Sequence, residues 1–176
     1  PIDVILASPM RRTRETASIV AERLGLPIAI APDFTECDFG DWDGLSFGEV
    51  SEQDPEGLAD WFASTAQAPP GGEAFDQVQR RVEAARDDVV ATHRGRTVLI
   101  VTHVTPIKSM VRLALDAPTD ALYRMELSPC SFTSALWFAD GVASLRFFND
   151  TAHLRGVASD QGGHREGVAD DGAESA

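Results

Sequence analysis

Two short runs in this chain are apolar at every position: Val4 to Ala7 inside DVILAS, and Val98 to Val101 inside RTVLIVTH. A strand with one wet face alternates apolar and polar residues, whereas a strand apolar throughout has to be covered on both faces. Each run passes directly into a helical pattern. PMRRTRETASIVAERLG follows the first, with Thr13, Ala17, Val20 and Leu24 in 4-3-4 spacing and Gly25 as a stop. Ser8 is expected to cap this helix, with Pro9 in its first turn. After the second run, Pro106 to Leu115 places Ile107, Met110, Val111 and Ala114 on one side.

Between these units, Pro27 to Ala31 reads as a strand, and Phe47 to Ala63 as two short helices interrupted at Pro55 and Gly57. Phe75, Val78, Val82, Ala85 and Val89 form a clean helical stripe, with Arg80, Arg81, Asp87 and Asp88 off it. Phe132 to Phe138 and Val142 to Phe148 flank an Ala-Asp-Gly turn and predict a hairpin. Strands alternating with helices imply an α/β fold: a mostly parallel sheet with helices on both faces and the antiparallel pair at one edge. In such sheets ligands bind beyond the carboxyl ends of the strands, which puts Ser8 and His103 on one rim.

The pattern predicts one domain over residues 1–149 and a disordered, acidic tail over 150–176, where Gly, Asp and Glu accumulate. A net charge of −13 argues against nucleic acid as a direct partner, since such binding draws on clustered Lys and Arg. No apolar run reaches the length of a membrane span. Cys37 and Cys130 have neither metal spacing nor a disulfide framework, which fits reduced thiols and a cytoplasmic setting. The acidic group Glu36, Asp38, Asp41 and Asp43 lacks histidine partners and the calcium-loop pattern, so no metal and no other cofactor is expected.

Four features could meet at the rim: Ser8 with Arg11, Arg12 and Arg14; Glu36 ahead of Phe39-Gly40; Gly71-Gly72-Glu73; and His103. Singly, each has a bland reading: a helix cap, a solvated arginine face, a loop acid, a hydrogen-bonded core histidine. Together, ASPMRRTRETA, ECDFGDWDG, PPGGEAFDQVQRRV and VTHVTPIK resemble, in order, the sequence blocks of the histidine phosphatase superfamily, phosphoglycerate-mutase-like branch. The resemblance spans Ile2 to about Phe148. HVTPIK looks most like the acid phosphatase half of actinobacterial proteins that join it to ribonuclease H, and these resemble α-ribazole phosphatases. Val104 departs from the family pattern, which has glycine after this histidine.

The resemblance implies a phosphoglycerate-mutase-like three-layer sandwich and hydrolysis of small phosphorylated substrates through phosphohistidine. It implies that Arg12 grips the phosphoryl group, Glu36 donates the proton, and His103, protonated, is the second histidine of the phosphate pocket. Ser8 and Arg11 are further candidate substrate contacts, Arg11 ahead of Arg14. Phe39 and Trp42 are expected to pack behind the Glu36 loop.

The family's nucleophile lies in an R-H-G motif that this chain lacks; His93, His153 and His164 have no strand-to-loop context. The expectation is therefore an N-terminally truncated domain, without the first strand and helix, inactive alone. An upstream ribonuclease H domain would complete the longer protein. Two alternatives stand beside it: a noncatalytic module binding phosphate esters or a protein, and mutase-type phosphoryl transfer.

Overall fold

The structure is a computed structural model that describes residues 1–138 and 140–156. The His164 segment and most of the expected tail lie outside these residues.

Strand β1 (Val4–Ala7) is central to a parallel sheet of three, between β2 (Ile28–Ile30) and β3 (Val98–Val101). Registers run Ile5 to Ile28 on one side and Ile5 to Leu99 on the other. Alternation along the strands divides the core. Ile5, Ala7, Leu99 and Val101 pack with Ala17 and Ala21 of helix α1 (Arg11–Leu24). Ile100 points the opposite way, against a larger cluster containing Val78, Val82 and Ala85 of α4 (Phe75–Thr92) and Met110 of α5 (Val104–Ala114). The result is helix, sheet, helix, as the all-apolar strands require.

Local chemistry sets the element ends. Gly25 closes α1 at φ +67°, a left-handed conformation that glycine adopts without a Cβ penalty. The predicted interruption falls at Asp54: α2 (Phe47–Gln53) ends there, and the Asp54 carboxylate accepts from Gly57 N–H to begin α3 (Pro55–Ala63). Helix α5 starts at Val104, two residues earlier than expected, because Pro106 fits a first turn that makes no use of its missing N–H. Val104 has ordinary helical backbone there, with no positive φ, so the family's glycine is dispensable at this position.

Two expectations are corrected. Ser8 does not cap α1: Met10 is the N-cap residue, with no side-chain cap, and Pro9 precedes the helix. The hairpin of β4 (Phe132–Trp137) and β5 (Ala143–Asp150) is not hydrogen-bonded to the parallel sheet but forms a two-stranded sheet of its own. It packs on α5, and Arg86 of α4 lies 4.5 Å over the Trp137 ring. The physical reason is that among the described residues β3 pairs with β1 alone, so no strand bridges its other edge to the hairpin. All four β3 residues are consequently only half-buried, whereas Ile5, Leu6 and Ala7 of β1 are buried. Strand β5 runs through Asp150 and a helical turn follows at Ala152–Leu154, so ordered structure passes the expected boundary at 149. Among the described residues no helix is long and apolar enough to cross a membrane.

Candidate active site

Parallel pairing carries β1 and β3 to a common end. Ser8 N–H donates to Val101 O at 3.0 Å, continuing the ladder one step beyond β1, and two residues after Val101 stands His103. Both side chains are buried, and His103 Nε2 lies 2.7 Å from Ser8 Oγ. Thr13 Oγ1 donates to Ser8 O at 2.9 Å, tying the first turn of α1 to the same point. Ser8 is fully buried, and its hydroxyl is engaged with the His103 ring.

Glu36 reaches this point from the loop after β2. Its Oε1 accepts from Cys37 N–H at 2.8 Å and from Thr105 N–H at 3.2 Å. Thr105 is the second residue of α5, where an amide has no intrahelical acceptor, so the carboxylate satisfies an orphan donor at a favourable helix terminus. Thr102 Oγ1 donates to Phe34 O and brings the same two segments together.

The Glu36 loop interlocks with the Gly71-Gly72-Glu73 turn. Asp41 N–H donates to Pro70 O at 2.9 Å and Glu73 N–H to Asp38 O at 2.7 Å. Behind the loop, Trp42 is buried and meets Trp61 edge-on at 6.2 Å, while Phe39 lies 6.4 Å from the same ring. This is the packing role expected of Phe39 and Trp42.

Arg12 and Arg11 diverge. The positive charge of Arg12 is felt at His103, while Arg11 is 85% exposed and pairs through Nε with Glu15 at 2.6 Å on the outer face of α1. The structure thus brings Ser8 and His103 into contact, with Glu36 two residues away at Thr105; Arg12, itself exposed, acts on His103 through its charge, and Arg11 pairs with Glu15. Among the described histidines only His103 is here: His93 ends α4, and His153 stacks on Phe132 at 4.9 Å.

Burial, followed by the Arg12 and Arg81 charges, pushes the His103 imidazole down from 6.5 to about 4. With no anion beside it the ring favours its neutral form at pH 7. An anion bound beside Arg12 would oppose the two cationic effects and raise the ring's proton affinity. Since the folded value is the lower one, the unfolded chain takes up this proton first as pH falls. His103 therefore withdraws stability between about pH 6.5 and 4 and none above that window. Urea titrations at pH 7 and pH 5 are expected to show a smaller loss of stability in His103→Asn than in the wild type. Sulfate, a dianion throughout this range, is expected to shrink the wild-type loss selectively.

Sequence reasoning assigned no role to three contributors. Thr105 acts through its amide and leaves no side-chain signature. Arg81 and Glu73 form an ion pair at 2.8 Å that touches the Glu36 loop, although Arg81 lies off the apolar stripe of its helix. Both lie in the PPGGEAFDQVQRRV block, and Glu73 stands among the candidate rim features, but nothing in the sequence says that the two pair or what they hold.

A family model described as histidine phosphatase superfamily, branch 1, matches residues 1–151. The chain belongs to that superfamily. Within it, the chain is 45% identical over 153 residues to the bifunctional protein Rv2228c of Mycobacterium tuberculosis, covering 87% of this chain and 42% of that one. It thus spans less than half the length of its mycobacterial relatives. The adenosylcobalamin/alpha-ribazole phosphatase of Salmonella typhimurium is 30% identical over 156 residues, 88% of this chain and 77% of that protein.

Solved histidine phosphatase neighbours share the fold. Bacillus stearothermophilus YhfR superposes with a TM-score of 0.78 at 30% identity, covering 87% and 76% of the two chains. Mycobacterial glucosyl-3-phosphoglycerate phosphatase Rv2419c, solved with inorganic phosphate, gives 0.75 at 26% identity over 86% and 78%. Superfamily membership and these phosphatase relatives support phosphoryl hydrolysis or transfer in general.

Proposed function

We propose that this chain supplies the phosphate pocket and the leaving-group acid of a phosphomonoesterase acting through phosphohistidine, with acid phosphatase activity on small phosphorylated substrates. The nucleophilic histidine comes from sequence outside the 176 residues. The observation that carries the reading is the approach of Glu36 to the Ser8-bonded His103 beyond the carboxyl ends of β1 and β3, under the influence of the Arg12 charge and beside an edge of β3 that no strand among the described residues pairs. A strand seated on that edge would deliver its last residue to the same rim.

Arg12 grips the phosphoryl oxygens through paired donors, which a planar guanidinium provides and an ammonium does not. His103, taking up a proton with the anion, adds a donor to the charge that builds on the transferring group. The incoming histidine nitrogen bonds to phosphorus as the ester P–O bond breaks. The electron pair leaves on the oxygen, which takes the Glu36 proton. Water then attacks phosphorus, the P–N bond breaks, and the Glu36 carboxylate recovers a proton from that water.

The name bifunctional, given to the mycobacterial relative, supports a second domain in the longer protein, of the ribonuclease H kind that the HVTPIK resemblance implies. Unpaired Cys37 and Cys130 support a cytoplasmic setting.

The purified 176-residue chain is expected to hydrolyse no generic aryl phosphate, and a longer form carrying an upstream R-H-G segment is expected to do so. Turnover by the chain itself, abolished in His103→Ala, would contradict the missing nucleophile. Phosphate binding with no turnover in any longer form would favour a noncatalytic module.

A further inference from the structure

Arg81 is the most fully engaged side chain near the site. A guanidinium has five N–H donors. Here Nε and Nη2 reach the two carboxylate oxygens of Glu73 at 2.9 and 2.8 Å; Nη1 reaches Asp33 O at 2.7 and Thr35 O at 2.9 Å; Nη2 also reaches Glu36 O at 3.1 Å. All five donors are used, and the side chain is 18% exposed.

The three carbonyls belong to the turn that leads into Glu36, and the carboxylate partner belongs to the turn that interlocks with the same loop. Cys37 Sγ closes the circuit by donating to Glu73 O at 3.3 Å. The Glu36 backbone is thereby bolted to α4, while its side chain is held by Thr105 N–H of α5.

We infer that Arg81, fixed by Glu73, is a positioning residue that holds Glu36 at the first turn of α5 for proton transfer. This rests on Glu36 being the acid of the proposed reaction. Lysine could not substitute, because an ammonium has three donors and cannot span a carboxylate and three carbonyls in one plane. A solvated arginine at the same sequence position would leave the part-buried Thr35 and Glu36 carbonyls without this donor, and the turn would rearrange to satisfy them.

The test uses amide hydrogen exchange, followed by NMR on this chain. Thr105 N–H has no helical acceptor, so its protection reports whether Glu36 is in place. In Arg81→Met, which keeps the stem and removes the donors, the Thr105 and Cys37 amides are expected to exchange about tenfold faster relative to the Ile5 and Leu6 amides of β1. Arg81→Lys is expected to behave nearly as badly. Arg86→Met removes a comparably buried arginine of the same helix, stacked on Trp137, and controls for a general loss of stability. It is expected to leave the ratio unchanged.

If Arg81→Met does not fold, Glu73→Gln loosens the same guanidinium and is expected to shift the ratio in the same direction. An unchanged ratio in these variants, or an equal shift in Arg86→Met, overturns the positioning role. Turnover plays no part in the measurement, so failure of the phosphatase reading leaves its outcome distinct.

Discussion

Arg12→Ala is expected to weaken binding of inorganic phosphate to this chain by about a hundredfold, the scale found when one member of a hydrogen-bonded charge pair is truncated. Arg12→Lys, which keeps the charge and loses the paired planar donors, is expected to fall in between. Arg11→Ala is the internal control. Arg11 already faces water beside Glu15, where a surface ion pair contributes little, so phosphate affinity is expected to stay within about twofold. Calorimetric titration reads the three variants directly. The phosphate-induced rise in unfolding temperature gives a second measure, since it depends on affinity through mass action. Equal losses in Arg11→Ala and Arg12→Ala would mean that diffuse charge, not a grip by one guanidinium, attracts the anion.

Gly40→Ala is expected to destabilise the chain by about 3 kcal/mol, at the upper end of overpacking effects, because steric overlap and backbone strain act together. A Cβ at Gly40 would stand 2.2 Å from Pro70 O and 2.5 Å from Gly72 N, and the residue sits at φ +54°. Both obstacles are backbone, so no side chain can move aside. Gly25→Ala provides the comparison. Gly25 has a similar φ of +67° but nothing within 4 Å of its would-be Cβ, so only the conformational cost of about 1 kcal/mol remains. Denaturant midpoints for the pair separate strain from overlap. A Gly40→Ala cost no larger than that of Gly25→Ala would show that the two loops are not locked together.

The rim was legible in sequence because two all-apolar strands leave little choice of architecture, and the polar residues just after them, Ser8 after one and Thr102 and His103 after the other, must emerge at one end. The choice of Arg12 over Arg11 rested on the motif, and a helical step of about 100° accounts for their divergence. What sequence could not convey is what tertiary pairing decides. Arg81 lies off its apolar stripe, where most arginines are solvated, and although it falls in a quoted block, only Glu73 and the carbonyls of another segment reveal what it holds. Thr105 contributes a backbone amide that every residue but proline possesses. The separate hairpin depends on which strand lies beside β3, a long-range fact with no local signature. The phosphate role suggests a charged His103; that burial and two cationic charges disfavour the charge until an anion arrives is invisible in one dimension.

Cys37 lies beside the candidate acid, and burial, with Glu73 and Glu36 adding to it, pushes its thiol up to about 12. Oxidants attack the thiolate, so a thiol held protonated at neutral pH resists peroxide. An enzyme built around this loop would keep its phosphate pocket chemically intact under oxidative conditions that silence phosphatases dependent on a cysteine nucleophile. Cys130, on the surface, would be the thiol that records the exposure.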